Sequence, residues 1–198
     1  MDRIDRRDVL KKAGLGSLAL AGAATLGQLL AAPAAAQPSR GGAHLNFYFV
    51  AFSLADTIDG VSHRIAMEGD GIIKPGHVVG GGAFVHHDAA SPIPQTVLGT
   101  GSWRATRLIS FELVGTWGVA AAGILVMEID LVPEGGKAIP AHLEIYCNLG
   151  PAGIFTGQPE GYKLTIPGAP FGPFEPLVPP LGLTVFTTVN ERRGASGP

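Results

Sequence analysis

The sequence predicts an all-β fold, a single antiparallel β-barrel of about eight strands, with a β-sandwich as the alternative. Short β-rich runs with period-two alternation recur between Gly, Pro, Asp and Asn, and no 3.6-residue apolar stripe competes with them. The connections are short, which favours antiparallel neighbours, because parallel strands need a crossover of a dozen or more residues. With no helix to cover a sheet, the apolar faces must bury one another, so the sheet closes on itself or folds double.

Strands are expected near residues 44–53, 60–68, 77–87, 95–113, 118–132, 140–148, 160–166 and 182–189. Glycines inside these runs, Gly80 to Gly82 and Gly123, suit strands that coil strongly or bulge, which favours the barrel over the sandwich. The segment 150–182 differs in kind. It holds eight of the sixteen prolines, interleaved with Phe155, Phe171 and Phe174. Proline lacks the ladder donor, so "PGAPFGPFEPLVPP" reads as an extended loop whose aromatics cap one mouth or fasten the loop to the outer wall.

The chain of 198 residues is 46% hydrophobic and carries a formal net charge of −2, enough for one domain with a substantial core. Its first 36 residues are of another character. Asp5-Arg6-Arg7-Asp8-Val9-Leu10-Lys11-Lys12 precedes an Ala/Leu/Gly-rich segment from Ala13 to Ala32 and then Pro33-Ala34-Ala35-Ala36-Gln37. This resembles a twin-arginine (Tat) export signal, with Asp5 where Ser or Thr is usual and Val9 where Phe is usual.

The resemblance covers residues 5–36 and implies that Tat export machinery and a signal peptidase are partners. It also implies a periplasmic or secreted product starting near Gln37, without stable membrane insertion after signal removal. A single membrane anchor is the alternative reading of the apolar segment. Tat passengers cross folded, and many load a cofactor first, although no motif here assigns a cofactor or a metal.

Residues 37–198 keep 9 Lys/Arg and 13 Asp/Glu, a net charge near −4 with no basic stripe, so nucleic acid is not an expected partner. Cys147 is the only cysteine, and an intrachain disulfide is therefore impossible. It reads as a small buried hydrophobe. No phosphate-binding glycine loop, nucleophile elbow or Cys-x-x-Cys is present.

Several polar residues fall in phase with apolar strand faces. His63 travels with Val61, Ile65 and Met67, so it is either a hydrogen-bonded interior residue or part of a polar site. In "VVGGGAFVHHDAAS" the neighbours His86 and His87 must point to opposite faces, and at most one faces inward. A two-histidine chelate from one strand wants His-x-His, so a metal site would need His63, His86 or His87, and His77 or His142, to converge from separate strands.

Trp103, Ala105, Arg107, Ile109, Phe111 and Leu113 share a face under strict alternation, which makes Arg107 an inward cation, for an anionic ligand group or an inward carboxylate. A hairpin around Glu134 to Lys137 would set Glu128 opposite Glu144 and Asp130 opposite His142, as an acid/base or hard-metal constellation or as a solvated wall.

In size and strand content the chain is similar to lipocalin, dirigent and allene oxide cyclase barrels. That similarity implies an exported barrel binding a small, mostly apolar ligand in its lumen. The contacts would be His63, Trp103, Arg107 and one of His86 or His87, with the proline-rich loop over the mouth. The alternatives are a cyclase-like, isomerase-like or metal-dependent enzyme using inward histidines, and a pocketless envelope or assembly protein. A homo-oligomer is compatible with each.

Overall fold

The computed structural model describes residues 44–189; the Tat-like segment and the junction near Gln37 lie outside the described residues. Nine strands follow in order: β1 (His44–Ile58), β2 (Val61–Lys74), β3 (His77–Asp88), β4 (Thr96–Trp117), β5 (Ala120–Pro133), β6 (Ile139–Cys147), β7 (Gly161–Thr165), β8 (Glu175–Pro176) and β9 (Gly182–Val189). All eight anticipated strands are present, and the two-residue β8 is the addition. Among the described residues the one other regular element is a 3-10 turn, Gly153–Thr156.

The turns explain why these runs pair with their neighbours. Asp59 and Gly60, both with positive φ, form the two-residue turn whose twist matches a β-hairpin, and they set Ile58 opposite Val61. Pro75-Gly76 joins β2 to β3 in the same two-residue manner, pairing Lys74 with His77.

Every pairing is antiparallel. The sheet runs β4-β3-β2-β1-β9-β5, and β4 also pairs with β5, so six strands close into a ring. On its other edge β5 meets β9 through Ala120 and Ala121 and then β6 from Gly123 onward. From β6 the sheet continues to β7, while β8 pairs with β1 and a bridge joins Phe174 to Leu164 of β7.

Alternation in β1 is complete, with Leu45, Phe47, Phe49, Ala51, Ser53 and Ala55 all buried. The centre of the ring is filled by rings and aliphatic chains. Phe47, Phe49, Met67, Trp103, Tyr162 and Phe186 are each at most 2% exposed. At ~1.5–3 kcal/mol per fully buried large apolar side chain, this packing drives closure.

Glycine makes room for these rings. Gly69 lies opposite Gly82 and Gly71 opposite Gly80 on the inward face of β2 and β3. A Cβ at Gly80 would sit 2.5 Å from Phe47 Cζ, and one at Gly82 would sit 2.7 Å from Trp103 Nε1. "GGG" is thus a floor on which Phe47 and Trp103 lie.

Strict alternation fails in β4. Its pairing with β5 slips between Ala105 and Arg107, between Leu108 and Ser110, and between Leu113 and Gly115. The first bulge turns Arg107 outward and brings Leu108 against the core; the second restores the phase, so Phe111 and Leu113 also pack against it. Arg107 is therefore not the inward cation that unbroken alternation predicts.

Candidate functional site

The β2–β3 hairpin brings His63 and His86 together. His63 is paired with Asp88, and His86 with Ile65, which places the two imidazoles diagonally on one inward face near the strand ends. His63 Nδ1 lies 3.0 Å from His86 Nε2, so one ring donates its N–H to the other. Both rings are partly buried.

The proline-rich loop closes over this pair. Phe171 stacks on His63 at 4.4 Å between ring centroids, and Phe174 meets His86 edge-on at 5.6 Å. The loop is pinned on both sides. Asp56 N–H donates to the Phe171 carbonyl at 3.1 Å, and Phe174 exchanges two backbone hydrogen bonds with Leu164 at 2.8 and 3.0 Å. The Lys163–Glu175 ion pair, at 2.8 Å, and the Phe52 N–H to Leu181 carbonyl bond, at 3.1 Å, hold its far end.

Electrostatics follow from this cover. Burial, then the neighbouring His63 and His87, lower the pKa of His86 to about 4. His86 is therefore a neutral imidazole near neutral pH, able to accept or donate at either nitrogen according to tautomer. Phe171 and Phe174 supply an apolar wall beside it. Chemically, the arrangement offers one imidazole that can donate or accept a hydrogen bond, or exchange a proton, beside an apolar wall.

The other anticipated residues separate from this pair. His87 faces outward opposite Arg64, with its pKa lowered by desolvation and then by that cation. Asp88 fastens the strand end, its Oδ1 accepting from Ser62 N–H at 3.1 Å and Ala90 N–H at 3.0 Å. The "HHD" run thus divides into an inward ring, an outward ring and a turn-forming carboxylate. Trp103 is inward but lies deeper, its Nε1–H donating to the Glu68 carbonyl at 2.8 Å and its ring 5.7 Å from Phe49.

Arg107 forms an ion pair with Glu128 on the exposed wall, and Arg104 pairs with Asp130 at 2.8 Å. The β5–β6 turn is centred near Gly135, so Glu128 faces His142 and Asp130 faces Pro140 rather than the partners set by a turn one residue later. These carboxylates form a solvated wall, while Leu125, Met127, Ile129, Leu131, Leu143, Ile145 and Cys147 are buried behind them.

His77 begins β3 and His142 lies on the wall, so neither converges with His63. Among the described residues no group of three or more His, Cys, Asp or Glu is placed to hold a metal ion. His63 and His86 supply two nitrogens, one fewer than the protein ligands of a catalytic zinc site.

Sequence alternation puts His63 in phase with an apolar face and allows at most one of His86 and His87 to join it. It does not reach Phe171 and Phe174 as partners of that pair, because a contact across 108 residues of chain leaves no local signal; the spacing "FGPF" in a loop too proline-rich to form a sheet is the one clue. The chain was also compared with models of known protein families, with curated proteins and with solved structures, and none matches it.

Proposed function

We propose that the protein is an exported β-barrel that binds a small, mostly apolar molecule at its loop-covered end, with Phe171 and Phe174 as apolar contacts and the His63–His86 pair as the polar one. The supporting observation is the 3.0 Å imidazole contact roofed by two phenylalanines. Two imidazoles under an apolar cover have the composition of a small-molecule site, a hydrophobic lining with a few convergent polar groups. The filled centre of the ring counts against the ligand expected in the lumen, so the reading rests on this end alone.

Export to the periplasm is part of the same reading and rests on the Tat-like residues 5–36. It is tested by isolating the protein from that compartment and recording its native mass spectrum. A small-molecule adduct on the wild type that is lost in Phe171→Ala and weakened in His63→Ala supports the binder. A bare wild-type chain that also fails to enhance the fluorescence of 8-anilinonaphthalene-1-sulfonate contradicts it and favours the pocketless envelope protein.

One observation favours a second reading, an isomerase-like or cyclase-like enzyme. The two imidazoles in hydrogen-bond contact can relay a proton, with His86 unprotonated near neutral pH but made a weak base by its lowered pKa. In that case His86→Gln abolishes turnover of a bound molecule while leaving its binding.

A further inference from the structure

The end of the molecule opposite the histidine pair carries a cluster of exposed apolar side chains on two adjoining turns. The β4–β5 turn presents Trp117 at 66% and Val119 at 61% exposure, and the 3-10 turn presents Ile154 at 78% and Phe155 at 60%. The turns are packed together. A Cβ at Gly115 would lie 2.5 Å from Ala152 Cβ, and one at Gly150 would lie 2.9 Å from Trp117 Cβ. Their shapes are fixed by Thr188 N–H donating to the Val119 carbonyl at 2.9 Å and Gly153 N–H donating to the Gly150 carbonyl at 3.1 Å.

Two features identify the occupant. The first is charge: residues 113–127 and 145–159, which build both turns, contain no Asp, Glu, Lys, Arg or His. Within these two turns a charged protein partner or an anionic surface finds nothing to pair with, whereas Trp beside Val, Ile and Phe is the composition favoured at the boundary between lipid headgroups and acyl chains.

The second feature is where the chain enters. His44 pairs with Val189, and the neighbouring Thr188 is bonded to Val119, so the described chain begins at this same end. Forty-three residues precede His44, and until signal removal they include the uncharged run from Ala13 to Ala32, long enough to span a bilayer.

We propose that Trp117, Val119, Ile154 and Phe155 form a tip that docks on the uncharged headgroup–acyl boundary of a lipid bilayer. The tip enters the interface without spanning it, and the histidine end points away from the lipid. Isolated apolar side chains on a surface need no explanation, but four of them on two charge-free turns packed together are the kind of exposed cluster that marks an interaction site.

Tryptophan fluorescence of the full chain with phosphatidylcholine vesicles tests this. The chain has two tryptophans; Trp103 is 2% exposed and serves as an internal reference, so a change in emission reports Trp117. The expected result is a blue shift on adding vesicles, quenching by brominated phosphatidylcholine, and persistence in about 0.5 M salt, where exposed charge pairing is screened. The double variant Ile154→Ser/Phe155→Ser, which keeps the reporter, should need about tenfold more lipid or greater for the same shift.

Vesicle-bound chain whose emission does not change, held by the preceding apolar run alone, would overturn the proposal. So would a blue shift without vesicles that grows with protein concentration, which would assign the tip to a second copy, and so would binding abolished by salt.

Discussion

His86 loses its ordinary basicity because it exchanges water for Phe174 and for a second imidazole, and that exchange has a sign that can be measured. Its folded pKa of about 4 lies below the ~6.5 of a free imidazole, so between these values the unfolded chain binds the proton and the folded chain does not. The contribution is fully present above pH about 6.5 and is lost as pH falls toward 4. The expected loss is about 2 kcal/mol, less than the whole shift implies because the ring keeps some access to solvent. Urea midpoints near pH 7 and pH 4.5 should show this slope in the wild type and a smaller one in His86→Gln; equal slopes would refute the assignment.

At the same scale, Gly82→Ala should destabilise the protein by more than about 2 kcal/mol, because its methyl group meets both the Glu68 carbonyl and the Trp103 ring. That His63 travels with an apolar face, and that His86 and His87 point to opposite faces, was legible in the sequence; which of the two neighbours turns inward was not, because alternation separates them without fixing the phase. The depth of Trp103 was not, because depth along a strand depends on which ring lies across from it.

Elements decide what single residues cannot. The proline-rich loop is fixed at Phe171, Phe174 and Leu181, yet its two phenylalanines are unequal, Phe174 being 1% exposed and part of the core while Phe171 is only partly buried. Phe174→Ala should cost about 3–5 kcal/mol by thermal or urea unfolding, whereas Phe171→Ala should cost under about 2 kcal/mol and act mainly on binding. Equal losses would mean that the loop is a uniform part of the core and not a cover over His63.

In β4 the bulge after Ala105 moves Arg107 to the wall, so Arg107→Ala should leave both the unfolding midpoint and ligand retention unchanged. Such bulges were not readable beforehand. One additional β-favouring residue in a β-rich run carries no signature, and its effect is to exchange inside and outside for the residues that follow. The β5–β6 hairpin was legible in position but not in register, because Gly135 and Gly136 are equally able to take the turn.

Over the whole molecule, the all-β class and its strand segments were legible, because period-two alternation and turn chemistry are local. The closure of β4 on β5 and of β1 on β9 was not, since these pairings join distant parts of the chain. Cys147 reports on that closure. It is fully buried on β6, its thiol donating to the Ala121 carbonyl at 3.2 Å and the Thr184 carbonyl at 3.4 Å, on β5 and β9, and burial raises its pKa. It should resist a thiol reagent in the native protein and react at a rate that follows global unfolding; prompt native reaction would show that the β5–β6–β9 junction opens locally.

The binding reading itself is tested most directly by imidazole nitrogen–proton NMR spectra recorded with increasing 8-anilinonaphthalene-1-sulfonate as an apolar probe. The account predicts that His63 and His86 shift together while His87 and His142 stay fixed. Shifts confined to His87 or His142, or an unperturbed His63–His86 pair under a saturating probe, would contradict it.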